Sequence, residues 1–122
     1  MIRDAGNKTV ALILRGARKL AERGRARKLK PDENQGGTFT LSNPGMFGVR
    51  EISAIINPVE AAILAVGAVE KRLVIVDDQI RFGSGLSTKL SGDHRIIDGS
   101  IGAQLLQESK AAIEQPLWLL AG

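Results

Sequence analysis

The chain has 122 residues, 43% of them hydrophobic and only 3% aromatic, so it fits one domain of ordinary size whose core must rest on Ile, Leu, Val and Ala. It contains no cysteine and one histidine, which excludes a disulfide framework, a thiol nucleophile and a cysteine metal site and argues against a histidine zinc centre; no metal is expected. No apolar run is long enough to span a bilayer and Met1 opens no secretory or transit segment, so the expectation is a soluble intracellular protein without membrane partners.

In chain order, Thr9 to about Lys28 reads as a first helix. Val10, Ile13, Leu14, Ala17, Leu20 and Ala21 recur at three- and four-residue steps, Asn7 or Thr9 supplies the N-cap, and Gly16 and Gly24 weaken it locally. Pro31 and the polar residues 32–37 stop it, as a turn within one domain rather than a domain boundary. Thr38 to Ser42 alternates polar and apolar residues and predicts a half-buried strand, ended by Asn43-Pro44-Gly45. Val49 to Ile56 reads as extended and stops at Asn57-Pro58. Ala61 to Gly67 is almost wholly apolar, which favours a strand buried on both faces, with a helix as the alternative.

Leu73 to Val76, Asp77-Asp78 and Gln79 to Phe82 form a hairpin pattern, although Asp-Asp is a weaker turn signal than Asp-Gly. Leu86 to Ser91 alternates again and points at His94. Gly99 to Glu114 is helical in pattern, capped by Asp98 or Ser100, and Pro116 ends it. The apolar tail Leu117-Trp118-Leu119-Leu120 must fold back on its own core or dock onto another chain.

The net charge of +4 is crowded into Arg15, Arg18, Lys19, Arg23, Arg25, Arg27, Lys28 and Lys30, opposed there by Glu22 alone. Such a stripe could attract a polyanion. No nucleic-acid motif or set of base-stacking aromatics accompanies it, so a solvated helix face is the better reading and nucleic acid is not an expected partner. His94 is the side chain best suited to exchange protons near neutrality; on spacing alone a surface residue of a hydrophilic loop is the better reading.

The run Gly36 to Gly48 (GGTFTLSNPGMFG) resembles the strand-and-turn signature of the dihydrolipoamide acyltransferases, the E2 subunits of 2-oxoacid dehydrogenase complexes. Ser53-Ala54-Ile55-Ile56-Asn57-Pro58, Ala61 to Gly67 and Asp93-His94-Arg95-Ile96-Ile97-Asp98-Gly99 follow in that family's order, most like the acetyltransferases of pyruvate dehydrogenase type. The likeness covers nearly all of residues 1–122, and only about the C-terminal half of the family's catalytic domain; no lipoyl or peripheral-subunit-binding domain is expected here.

The resemblance implies an α/β fold like that of chloramphenicol acetyltransferase, a mixed sheet flanked by helices. It implies transfer of an acetyl group between dihydrolipoamide and coenzyme A, the lipoyl group being supplied by another domain. By resemblance His94 is the general base toward the thiol, Ser42 donates a hydrogen bond to the developing oxyanion, and Asp98 holds the geometry; the residues contacting coenzyme A are not assigned. For Asp98 a helix N-cap, and for Ser42 a strand-end hydroxyl, are the plain structural readings, while Asp93 and Arg95 read as structural ion pairs or hydrogen bonds. The resemblance further implies a homotrimer or larger core, with Ser42 of one copy serving His94 of the next, the other subunits of a dehydrogenase complex as partners, and a cytoplasmic location, or the mitochondrial matrix in a eukaryote. A Ser-His-Asp hydrolase is disfavoured because no nucleophile-elbow sequence is present. The alternative from another class is a catalytically incomplete assembly module.

Overall fold

The structure, a computed structural model, describes residues 1–34 and 36–117, with Glu33 and Asn34 described by their backbone alone. The chain divides into two compact units, Met1–Gly37 with Ala103–Gly122, and Thr38–Gly102. Its helices are α1 (Val10–Arg25) and α2 (Gly99–Glu114), and its strands are β1 (Phe39–Ser42), β2 (Ala62–Val66), β3 (Glu70–Val76), β4 (Gln79–Gly85) and β5 (Thr88–Gly92). No helix among the described residues is long and apolar enough to cross a membrane.

In the first unit, α1 begins where Thr9 Oγ1 accepts the Leu12 N–H at 3.3 Å, which satisfies one of the orphan donors of the first turn. It stops at Arg25, short of the expected Lys28. Arg27 takes a left-handed backbone, φ 54°, and the N–H groups of Lys28 and Arg27 bond the carbonyls of Arg23 and Gly24 at 2.8 and 3.1 Å. This paired closure consumes two end carbonyls, a task usually eased by glycine at the left-handed position. Arg3 donates to the Asp32 carbonyl at 2.8 Å and ties the N-terminal segment to the one-turn helix Pro31–Asn34. Arg3, Lys8, Lys19 and Arg23, with Met1, Ile2, Gly16 and Leu20, line an open cavity of about 280 Å³.

In the second unit β2 is the middle strand of a mixed sheet, parallel to β1 and antiparallel to β5. Its continuous apolar run suits a strand covered on both faces, and Ala62, Ile63 and Ala65 are the buried hydrophobic side chains among the described residues. β3 and β4 form a separate antiparallel hairpin. Asp77 and Asp78 turn it with φ of 51° and 62°, the left-handed pair that a two-residue connection needs to match strand twist.

The stretch Val49 to Ile56 joins no sheet. Both edges of β2 are taken by β1 and β5, and the segment pairs with neither of those outer strands. It crosses the end of β2 instead. The Val49 carbonyl accepts the Ala68 N–H at 2.8 Å, Arg50 pairs with Glu70 at 2.8 Å, and Lys89 with Glu51 at 3.4 Å. A Cβ on Gly67 would lie 1.9 Å from the Arg50 carbonyl oxygen, and one on Gly45 would lie 2.5 Å from the Gly67 backbone. Three backbone segments therefore meet at the end of β2 where only glycine allows it. Of the C-terminal apolar tail only Leu117 is described, and it is exposed; residues 118–122 lie outside the described residues.

Candidate active site

His94 sits in the tight turn that follows β5. Its neighbour Asp93 fixes that turn. The Asp93 N–H donates to the Ala61 carbonyl at 2.8 Å, which extends the β2–β5 ladder by one step, and its carbonyl accepts the N–H groups of Ile96 and Ile97 at 2.9 and 2.8 Å. The Asp93 carboxylate takes the Arg95 N–H at 3.0 Å and both arms of the guanidinium, Nε at 3.0 Å and Nη2 at 2.7 Å. A two-armed guanidinium contact is directional as well as charged. It holds the Asp93 carboxyl well below the usual range, at about 2, with the Arg95 side chain the first cause and its backbone N–H the second, and raises Arg95 in return. Asp93 and Arg95 thus form the structural pair read from the sequence, and His94, between them in the chain, is exposed with no hydrogen-bond partner among the described residues.

Asp98 is the N-cap of α2. Its Oδ1 accepts the Ile101 N–H at 2.8 Å and its carbonyl accepts the Gly102 N–H at 3.1 Å. This aspartate starts the helix four residues after His94 and does not itself bond His94.

Ser42 is the last residue of β1 and is half-buried. The pairing register places it opposite Ala65, while Gly92 on β5 stands opposite Ala62. Three residues along β2 at about 3.3 Å each, and two strand spacings of about 4.8 Å, put Ser42 roughly 14 Å from Gly92. The ladder then carries Asp93 one step further from Ser42. Of the three residues singled out in the sequence, His94 and Asp98 lie four residues apart beyond β5, and Ser42 ends β1 at the other end of the sheet from Gly92.

On the face of β1 shared by Ser42, Thr40 donates to the Glu60 carboxylate and accepts from the Asn57 side chain at 3.0 Å. This cluster anchors the connection from β1 to β2. Sequence reading saw only the strand-ending Asn57-Pro58; neither Glu60 nor Thr40 carried a signal of its own. At the other end, Glu70 accepts from Arg50 and, at 3.3 Å, from Arg72, which also donates to Ser87 at 3.1 Å. Those cations, Arg50 first, lower the Glu70 carboxyl from its ordinary value.

The family profile of the 2-oxoacid dehydrogenases acyltransferase (catalytic domain) matches residues 1–121. The dihydrolipoyllysine-residue acetyltransferase component of the pyruvate dehydrogenase complex of Rhizobium meliloti is 42% identical over 98% of the chain and 27% of its own length. A probable dihydrolipoamide acetyltransferase from Listeria monocytogenes superposes with a TM-score of 0.87 at 40% identity, over 93% of this chain and 49% of its own. The dihydrolipoamide acetyltransferase of Azotobacter vinelandii, whose structure was studied for the roles of one serine, one histidine and one asparagine in its catalytic mechanism, superposes with a TM-score of 0.85 at 32% identity, over 98% and 49%. The chain spans less than a third of the curated relatives it matches and about half of these solved chains. By the match along almost its whole length, the chain belongs to the catalytic-domain family of the 2-oxoacid dehydrogenase acyltransferases.

Proposed function

We propose that this chain carries the His94 and Ser42 portions of a site that transfers an acetyl group between the thiol of dihydrolipoamide and that of coenzyme A, within a pyruvate dehydrogenase complex. One observation carries the proposal: Ser42, His94 and Asp98 keep the same separations along the chain as the serine, histidine and asparagine named for the Azotobacter enzyme. Aspartate stands here at the third position, and as an N-cap it positions the His94 turn through the backbone.

Each residue's part follows from its chemistry. A thiol is mostly protonated at neutral pH, and an imidazole with no competing hydrogen bond takes its proton as the sulfur attacks the acyl carbon. Negative charge then gathers on the carbonyl oxygen, where the Ser42 hydroxyl donates; such a donor is worth about 3 kcal/mol in a preorganised site. The oxyanion then reforms the carbonyl, the original carbon–sulfur bond breaks, and the imidazolium returns its proton to the departing thiolate; no acyl-serine forms. The separation of Ser42 from His94 supports a site shared between copies, the hydroxyl coming from one and the imidazole from its neighbour, in a trimer or larger core. The reading places the chain in the cytoplasm, or in the mitochondrial matrix of a eukaryote.

The test is an acetyl-transfer assay with acetyl-coenzyme A and dihydrolipoamide, on the chain alone and with the remaining half of a catalytic domain supplied. Transfer is expected in at least one arm, and His94→Ala is expected to lower it about 10³-fold. No transfer in either arm, or an unaltered rate in the variant, overturns the proposal. Absence of transfer together with self-association would favour the second reading, an assembly module, which the half-length match to the solved chains also allows.

A further inference from the structure

The turn that leads into β2 is strained, and a strand outside it holds it closed. The Glu60 N–H donates to the Asn57 carbonyl at 3.1 Å, with Pro58 and Val59 between them. Val59 takes a φ of 79° and is 99% exposed. Proline followed by a left-handed residue is the pattern of a type II turn, which favours glycine or asparagine at the second place; a β-branched residue there is costly and persists only where its surroundings fix it. Thr40 of β1 supplies that restraint at both ends. Its hydroxyl accepts from the Asn57 side chain at 3.0 Å and donates to the Glu60 carboxylate. Ala61, the next residue, is shared between two neighbours: its N–H donates to the Thr38 carbonyl at 3.3 Å, and its carbonyl accepts the Asp93 N–H at 2.8 Å.

We infer that Thr40 and Glu60 are positioning residues for His94, acting through the backbone of Ala61 and Asp93. This rests on the acyltransferase reading above, in which His94 takes the proton of a thiol. Among the described residues, the hydrogen bonds of Asp93 to Asp98 run to one another and to the start of α2, and the Asp93 N–H is the one that reaches the sheet beyond β5. The exposed imidazole has no hydrogen bond of its own among these residues, so its place is set by this backbone. With Glu60 tied to Thr40 and the Ala61 N–H tied to Thr38, the Ala61 carbonyl has little freedom to leave the Asp93 N–H. Without the clamp the strained turn relaxes, and the carbonyl moves with it. A base misplaced by about 1 Å is enough to slow a transfer about 10²-fold. Thr40 also lies two residues before Ser42 on the same face of β1. In a site shared between copies, one strand therefore presents its hydroxyl donor to a neighbour's imidazole while steadying the imidazole of its own copy.

The chain's one histidine makes the test direct, since its imidazole gives a single set of proton resonances. Variants of the 122-residue chain are compared by nuclear magnetic resonance and amide exchange. Glu60→Ala and Thr40→Val break the clamp from either side. Each is expected to speed exchange of the Asp93 amide about tenfold or more and to shift the His94 resonances, with exchange in β3 and β4 unchanged. Glu60→Gln keeps an acceptor oxygen and Thr40→Ser keeps the hydroxyl, so both are expected to stay within about twofold of the parent. In the acetyl-transfer assay the clamp-breaking pair is expected to lose about tenfold in kcat at the parent's KM, and the conservative pair to retain it. The inference is overturned if Glu60→Ala and Thr40→Val match the parent in exchange and resonances, if exchange quickens equally in both sheets, or if the conservative pair is disturbed as much as the other. Loss of the fold in both clamp-breaking variants, or an unchanged kcat in them where the parent transfers, overturns it as well. Exchange and resonances are read without transfer, so a parent that transfers nothing counts against the catalytic proposal alone.

Discussion

At the scale of single residues, the position of His94 is governed by its neighbours. The depressed Asp93 carboxyl stabilises the folded turn at any pH above its ordinary value of 3.8, and that contribution is lost as pH falls toward about 2. Slowed amide exchange at Ile96 and Ile97, whose N–H groups bond the Asp93 carbonyl, is therefore expected to weaken between about pH 4 and pH 2. In Asp93→Asn the same amides should exchange faster already at pH 5 and show no further titration; a parent-like profile in that variant would refute the role. Asp98 was readable as a cap from the sequence because capping is local, set by one oxygen and an N–H three residues on. The anchoring of Thr40 by Glu60 was not, because twenty residues separate them and only the folded connection brings them together.

Among the elements, both helices and the hairpin were legible because each is specified by its own period and its own ends. Thr9, Asp98 and the Asp77-Asp78 turn do in the structure what their positions in the chain indicated. What composition left open is Val49 to Ile56: it favoured extension but could not say whether the segment would pair, and it joins neither sheet. Nor could the sequence distinguish glycines that turn the chain from glycines that let it pass. Gly67 is of the second kind: Gly67→Ala drives a methyl into backbone, and a loss of about 3 kcal/mol or more is expected in chemical denaturation. Gly6→Ala, with nothing within 4 Å of the added carbon, is the control and should fall within about 0.5 kcal/mol of the parent. Equal midpoints for the two would show that the crossing at β2 yields easily.

For the whole molecule, the parallel pairing of β1 with β2 and the antiparallel pairing of β2 with β5 put Ser42 and Gly92, two residues before His94, at opposite ends of one sheet. If the two act across copies, Ser42→Ala and His94→Ala are each inactive alone but complement when mixed. Random assembly of equal amounts gives roughly a quarter of parent activity, because one interface in four joins an intact serine to an intact histidine. A mixture as inactive as its parts would place both residues in one copy. The sharing of a site between copies was implied by the family resemblance, whereas the pairing of faces was not legible: alternation in Phe39 to Leu41 and Leu73 to Phe82 shows that a strand has two kinds of face, not which one finds a partner. The hairpin also has a consequence in time. Its contacts are local, closed by a two-residue turn, and such units form in about 1–10 μs, well before long-range pairings like that of β1 with β2. Leu73, Ile75, Ile80 and Phe82, all exposed on one face of it, are thus assembled into an adhesive ribbon while the rest of the chain is still unfolded. The yield of folded protein then depends on how often two such ribbons collide before the rest has folded.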